Sequence, residues 1–288
     1  MPQMGVLDIN VICIRGSNSI DLMTDDGVRL VDIQGLGAIS TISTSAVNGS
    51  DGETITSNVL PKRAISIILR FRPGDVEAAR YKIYDIFRLK QNGTMKLISK
   101  YRTAKIEYIV EKVEIPPNVY PMRAQISLIC PDPYFEALDE VVTEMSDLIS
   151  KFRLPFHIPV GPFKISEKSN SYFKTVTNNS DGYSGADFVF YAASAVVNPY
   201  IENVNTGEKM GLNMTMQADD TVVIKTQRGQ KRMTLIRGET EINVSNYKIR
   251  PFTFLQLAPG ENLLKRGAES NVSGLYVSIY TKIKWGAF

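Results

Sequence analysis

Side chains able to break bonds are scarce in this chain. It holds one histidine, His157, in Pro155-Phe156-His157-Ile158-Pro159, and two cysteines, Cys13 and Cys130. A lone imidazole cannot make a two-histidine metal site, and neither thiol has a C-x-x-C partner to complete one. Both cysteines lie in apolar runs, where a thiol packs as a small hydrophobe, so reduced buried thiols are expected, with a single disulfide between them as the alternative. A single histidine could serve a triad, but no G-x-S-x-G elbow accompanies it, because Gly182-Tyr183-Ser184-Gly185 lacks the spacing. His157 therefore reads as a core or interdomain residue. Gly35-Leu36-Gly37 opens a dinucleotide-type G-x-G and then meets Ser40 where the third glycine belongs. Thr177-Asn178-Asn179-Ser180-Asp181-Gly182 has the composition of a calcium loop, with Phe188 where its bidentate glutamate should stand. Asp219-Asp220 offers paired carboxylates, but directly precedes a strand and reads more simply as a turn. The expectation is a chain with no catalytic residue, no metal site and no cofactor site, and not an enzyme.

Composition narrows the class further. With 288 residues, 43% hydrophobic and 22% charged, the chain suits two globular domains. Lys and Arg number 33 against 30 Asp and Glu, a net charge of +3. That surplus gives no general attraction to nucleic acid or an anionic membrane. The densest basic group, Arg228, Lys231, Arg232 and Arg237 around Gly229, reads as a solvated hairpin end. No window approaches ~18 consecutive apolar residues, and no basic segment followed by an apolar one opens the sequence. No membrane span is expected, and folding in a cytoplasm is.

The elements that must carry these residues are mostly strands. Ile65, Ile67, Leu69 and Phe71 alternate with Ser66, Arg70 and Arg72. Ala104, Ile106, Tyr108 and Val110 alternate with Lys105, Glu107 and Glu111, and Met122 to Cys130 repeats the pattern. Period two gives each run one core face and one solvent face, as in antiparallel sheets. Asp26-Gly27 predicts a two-residue hairpin between 20–23 and 28–31. The Gly/Ser/Thr/Asn-rich stretch Gly35 to Asn58 is long for a connection and predicts a surface loop or projecting arm.

Two helices are expected. The first starts at Pro73-Gly74-Asp75, carries Ala79, Ile83, Ile86 and Phe87 on one stripe, and closes at Asn92-Gly93. The second runs over 136–152, where Leu138, Val141, Val142, Met145, Leu148, Ile149 and Phe152 share a stripe opposite Asp139, Glu140, Glu144 and Asp147. It follows Pro131-Asp132-Pro133 and precedes Pro155, Pro159 and Pro162, which places a domain boundary there. Beyond it, short strands at 188–191, 201–203, 212–216, 221–224, 232–236, 252–257 and 275–285, separated by breakers such as Asn198-Pro199 and Arg228-Gly229, suit a β-sandwich. The expected organisation is a first domain over 1–135, a helical linker over 136–152 and a β-sandwich over 153–288. The fold class is mostly β, with an α+β first domain.

Several segments, taken in order, resemble the distal tail (Dit) protein family of long-tailed phages. The most specific is Ser127-Leu128-Ile129-Cys130-Pro131-Asp132-Pro133-Tyr134-Phe135, similar to the strand and Pro-Asp-Pro-Tyr-Phe exit that end the family's first domain. Before it, Gly52, Pro61-Lys62-Arg63, the Gly74-Asp75 helix start and Arg80 fit the pattern. After it come Thr177 to Gly182, Asn198 to Asn203 with Thr206-Gly207-Glu208, Asp220 to Thr226, and Leu257 to Asn262. Lys225 departs from it, standing where the family often has an acid, and the 136–152 segment departs as well.

The resemblance implies a belt domain with a projecting hairpin, followed by a galectin-like β-sandwich. It implies a hexameric homo-oligomeric ring at the virion tail tip, assembled in the bacterial host cytoplasm as a baseplate hub. The implied partners are the tail tube protein, the tape measure protein, a tail-associated tip protein and a receptor-binding protein. An alternative is a carbohydrate- or receptor-binding sandwich module, with Trp285, Tyr276 and Tyr280 as rings to stack on sugars. A tail-associated hydrolase is a third, for which no signature is present.

Overall fold

The computed structural model describes residues 9–46, 49, 51–117, 122–145 and 172–288. The chain divides into two compact units, Met1–Leu138 with Lys284–Phe288, and Asp139–Ile283.

The first unit contains β1 (Asn10–Arg15), β2 (Asn18–Asp21), β3 (Val28–Gln34), β4 (Thr41–Ala46), β5 (Glu53–Val59), β6 (Arg63–Phe71), α1 (Val76–Ile86), β7 (Asn92–Ile98), β8 (Thr103–Glu114), β9 (Arg123–Cys130) and the start of β10 (Phe135–Glu144). Its antiparallel order is β2-β1-β7-β8-β9-β6-β3, with β10 beside β9 along the same edge of β8. The long β8 serves β7 with its first half and β9 with its second, and a bulge near Val110 separates its Val110 and Lys112 pairings with β9. Bulges bend and twist a strand, which suits one that changes neighbours. The core holds the inward residues Ile65, Ile67, Leu69, Ile106, Tyr108, Ile126 and Leu128, sealed by Ile83, Ile86 and Phe87 of the helix end. Cys13 and Cys130 are free, buried thiols. Burial pushes the Cys130 thiol up to about 12 despite the Arg63 charge nearby, so it is an unreactive packing group.

Two local expectations for this unit change. Asp26-Gly27 does not close a β2–β3 hairpin, because β3 pairs with β6, and β2 pairs with β1 around Gly16. Gly27 is small for another reason: a Cβ there would sit 2.8 Å from that of Ala79, so it lets α1 approach the chain. The helix begins as expected, with the Asp75 carboxylate accepting from Ala78 N–H at 2.9 Å. It ends at Phe87, with Lys90 left-handed at φ 62°, and Asn92-Gly93 already belong to β7.

The helix expected over 136–152 is the main correction. Residues 135–144 form β10, while 146–152 fall outside the described residues. The heptad-like stripe in Leu138, Val141 and Val142 was real as a pattern but short enough to fit either period. Pairing decided it. Glu136 lies opposite Lys105 and Ala137 opposite Ala104 on β8. Phe135 and Ala137 point inward, as alternation requires.

The second unit is a pair of antiparallel sheets. One has the order β19 (Thr240–Asn243), β18 (Arg232–Arg237), β17 (Thr221–Lys225), β12 (Ala186–Ala192), β21 (Leu275–Trp285). The other runs β11 (Phe173–Asn178), β20 (Gly260–Gly267), β14 (Tyr200–Asn203), β15 (Glu208–Gly211), and β13 (Val196–Val197) pairs separately with β16 (Thr215–Met216). Phe188, Phe190, Ile201, Met210, Ile224, Leu264, Val277 and Ile279 fill the core. The segment 252–257 is not a ladder strand; only Leu257 makes a bridge, to Ser184. The strand expected over 212–216 is confined to β16, and β11, β15, β19 and β20 had no clear signal. This mostly-β, largely antiparallel architecture is the fold class expected.

Candidate assembly surface

The feature that organises the first unit's surface begins with Arg63. In β6 it stands in phase with Ile65, Ile67, Leu69 and Phe71, so the alternation aims it inward, and it is buried. A buried guanidinium needs acceptors for its fixed fork of donors. Arg63 donates from Nε to the Pro133 carbonyl at 2.8 Å, from one Nη to those of Gly35 and Gly37 at 2.5 and 2.6 Å, and from the other to Gly286 at 2.5 Å. Its guanidinium lies 4.6 Å from the centre of the Phe135 ring. Desolvation draws its pKa down from the ordinary arginine value, and the nearby Cys130 works in the opposite sense.

Three separate sequence segments meet on this side chain. Gly35 and Gly37 lead out of β3; Gly35 has φ 92°, and a Cβ there would run into the Ala64 carbonyl. Pro133 and Phe135 come from the Pro-Asp-Pro-Tyr-Phe segment. Gly286 belongs to the C-terminal residues, which are tied further by Lys284 Nζ to Asp132 at 2.9 Å, Phe288 N–H to the Leu36 carbonyl at 3.0 Å, and the Phe288 ring 5.8 Å from Phe135.

From this root β4 and β5 leave as an antiparallel ribbon paired only with each other. Every residue of both strands is exposed. The bulge at Thr56 turns Ile55 onto the face of Ile42 and Thr44, since Ile42 pairs with Asn58 and Thr44 with Ile55. Ile39, Ile42, Ile55 and Val59 are 68, 54, 63 and 56% exposed, so among the described residues the ribbon and its approach bury none of their large apolar groups. Between residues 30 and 61 the charges are Asp32, Asp51 and Glu53, with no Lys or Arg. An isolated two-stranded ribbon is marginal in water, and two open edges are templates for further pairing. The Gly35–Asn58 stretch is therefore a projecting arm with the properties of a contact element.

The residues weighed for chemistry are dispersed. His157 lies outside the described residues. Gly35-Leu36-Gly37 feeds backbone carbonyls to Arg63 and is no phosphate cradle. In the Thr177–Gly182 turn, Asn178 is buried and donates to the Gly182 and Leu257 carbonyls. Asp219 accepts from Tyr191 Oη at 2.7 Å, and Asp220 takes a two-pronged contact from Arg237 at 2.7 and 2.6 Å. Burial alone would raise the Asp220 carboxyl, but Arg237 and the Gln217 N–H outweigh it and hold it below its ordinary value. Lys225 answers Asp187 at 2.8 Å across β12 and β17. Among the described residues no cluster of three metal-ligating side chains occurs. None of their helices is long and apolar enough to cross a membrane. The three rings proposed for sugar stacking do not form a platform within either unit. Trp285 belongs to the first, beneath the Arg102 guanidinium at 5.1 Å, while Tyr280 is buried in the second and Tyr276 packs 6.2 Å from Tyr191.

In the sequence, Pro61-Lys62-Arg63 by itself gives Arg63 no local mark of a buried, partnered side chain. Its phase in β6 was the signal that marked it as buried and partnered.

No protein-family profile matches the chain, and no curated protein matches it in sequence. Solved structures do match. The SPP1 Dit protein (gp 19.1), a paradigm of the hub adsorption apparatus in phages infecting Gram-positive bacteria, superposes with a TM-score of 0.69 at 11% identity, covering 96% of this chain and 99% of that one. A chain of the phage P2 baseplate in its activated conformation with Ca gives 0.54 at 10% identity, over 98% and 100% of the two chains, and the form with Sr gives 0.54 at 10% over 99% and 100%. Over nearly its whole length, the chain has the fold of the phage distal tail hub proteins that its sequence resembles.

Proposed function

We propose that this chain is a distal tail protein, a non-enzymatic component that closes into a ring-shaped, hexameric hub at a phage tail tip. In that role it joins the tail tube to tip and adhesion proteins. Its further partners are the tape measure protein, a tail-associated tip protein and a receptor-binding protein. The first unit, with its arm, forms the ring, and the second is a galectin-like sandwich available to other tail proteins.

The observation that carries this reading is the arm. A ribbon with every residue exposed, two free edges and four exposed aliphatic side chains gains little in the monomer and much in an assembly. The full-length likeness to hub and baseplate proteins supplies the kind of assembly. Self-association through unlike surfaces closes into a ring when the rotation permits.

Light scattering after size exclusion, followed by negative-stain microscopy of the full chain, tests the proposal. A ring-shaped particle is expected. A chain that stays monomeric at the highest attainable concentration refutes it. The full chain is essential, because a chain cut after Phe135 loses Gly286 and Phe288 from the Arg63 cluster.

A further inference from the structure

The hairpin formed by β3 and β6 has the arm at one end and a row of arginines at the other. Arg29 on β3 lies directly opposite Arg70 on β6, and Arg70 directly opposite Arg123 on β9. Directly paired residues share a face with Cβ atoms ~5 Å apart, and like charges so placed destabilise a sheet. All three are exposed, and among the described residues none makes an ion pair. The acid in the next row, Asp32, faces Ile68 and accepts from Gln34 Nε2 at 2.8 Å. Glu114, beyond it on β8, is held by Lys112 at 2.9 Å. Arg72 joins the group with its Nε fixed on the Val28 carbonyl at 3.1 Å. Arg29, Arg70 and Arg72 border an open cleft of about 370 Å³, with Phe71, Pro73, Val76 and Met122 as its apolar lining.

Three adjacent cations around an apolar cleft fit an acidic segment with aliphatic neighbours. The chain presents one. At the far end of the same hairpin, the arm carries Asp51 and Glu53 without a basic residue, and the exposed Ile55 stands on the same face as Glu53, next along β5. Both acids are exposed, and among the described residues neither has an ion-pair partner. Complementary patches at opposite ends of one element define a head-to-tail contact, in which each copy gives its arm to the next.

We infer that the Arg29–Arg70–Arg123 row and its cleft receive the acidic arm, Asp51 and Glu53, of a second copy of this chain. This rests on the self-assembling reading above and names the surfaces that would join. Guanidinium groups suit the task because their planar fork meets a carboxylate with two parallel hydrogen bonds. Charge opposition would also set which faces meet.

Charge reversal and its rescue test the contact. Full-length chains carrying Arg29→Glu with Arg70→Glu, or Asp51→Lys with Glu53→Lys, should each associate roughly tenfold or more weakly in sedimentation velocity. The fourfold variant combining both pairs should recover most of the assembly, since the two reversed pairs again oppose each other and only Arg123 and Arg72 keep their original charge. All substitutions are at exposed positions, and circular dichroism checks that each chain is folded. Assembly unaffected by either reversal overturns the inference, as does a folded fourfold variant that stays dissociated. Binding of a labelled single-stranded oligonucleotide that depends on Arg29 and Arg70, with assembly indifferent to them, would assign the row to nucleic acid instead. The unmodified chain separates the two levels: if it never assembles, the hub reading fails, whereas if it assembles and the reversals do nothing, only this contact fails.

Discussion

The two ends of the arm obey opposite rules. At its root, four carbonyls from three distant segments converge on one buried guanidinium. A few residues on, Thr41–Ala46 and Glu53–Val59 pair only with each other, and Ile42 and Ile55 face solvent. The root finds its partners within the monomer; the arm does not. The contrast teaches that the arm is held at its base by expensive, exact partnering, and left free along its length for a surface the monomer lacks. A loosely attached arm would lose more conformational entropy on docking than one whose base is fixed.

The contrast can be broken most severely at Arg63. Arg63→Ala leaves the carbonyls of Gly35, Gly37, Pro133 and Gly286 without their donor, and a loss of about 3–5 kcal/mol is expected in urea unfolding. Arg63→Lys should recover only part of it, because an ammonium cannot span the same acceptors. A loss below about 1 kcal/mol for the alanine variant would show that the root is not what holds the unit.

Deleting Gly286–Phe288 should cost less, about 2–3 kcal/mol, through the lost Phe288 packing on Phe135 and the missing acceptor for Arg63. Thermal or urea unfolding measures it, and a midpoint equal to the full chain's would deny the C-terminal residues a place in the root. Smaller still is Asp132→Asn, which removes the ion pair with Lys284. Asp132 is substantially exposed, so about 0–1 kcal/mol is expected, shrinking in high salt. A large, salt-independent loss would move Asp132 into the root proper.

At the arm the order inverts. Ile42→Ser with Ile55→Ser should leave unfolding within about 0.5 kcal/mol, measured at a concentration where the chain is monomeric. The same variant should associate measurably more weakly in sedimentation. Destabilisation of the monomer by this pair would mean that the arm packs on its own chain, and the contrast would collapse.

How much of this was readable differs by feature. Alternation in Ile65 to Phe71 and Ala104 to Val110 foretold β6 and β8, because each side chain's face is settled locally by the pleat. The Gly/Ser/Thr/Asn-rich stretch foretold a segment outside the core, loop or arm alike, for a related reason: nothing in it demanded burial. Asp75 foretold the start of α1, since capping involves only its next three residues. The same locality failed at 136–144, where Leu138, Val141 and Val142 satisfied a helical stripe. It failed at Gly27 too, which faces Ala79 rather than turning a hairpin. The weak signals of β11, β15 and β20 have the same origin, since these strands are defined by partners far away in sequence.

The sequence alone determined the period of the core strands, the position of the helix start, the poverty in reactive groups and the existence of a long polar stretch outside the core, loop or arm. All of these are set within a few residues or by composition. Only the tertiary structure decided that residues 135–144 are a strand, set against β8 at Glu136 and Ala137, that Arg63 gathers Gly35, Gly37, Pro133 and Gly286, and that Arg29, Arg70 and Arg123 line up in one row. Those facts depend on strand register, and register is fixed by which distant residues pair, information that no local window of sequence contains.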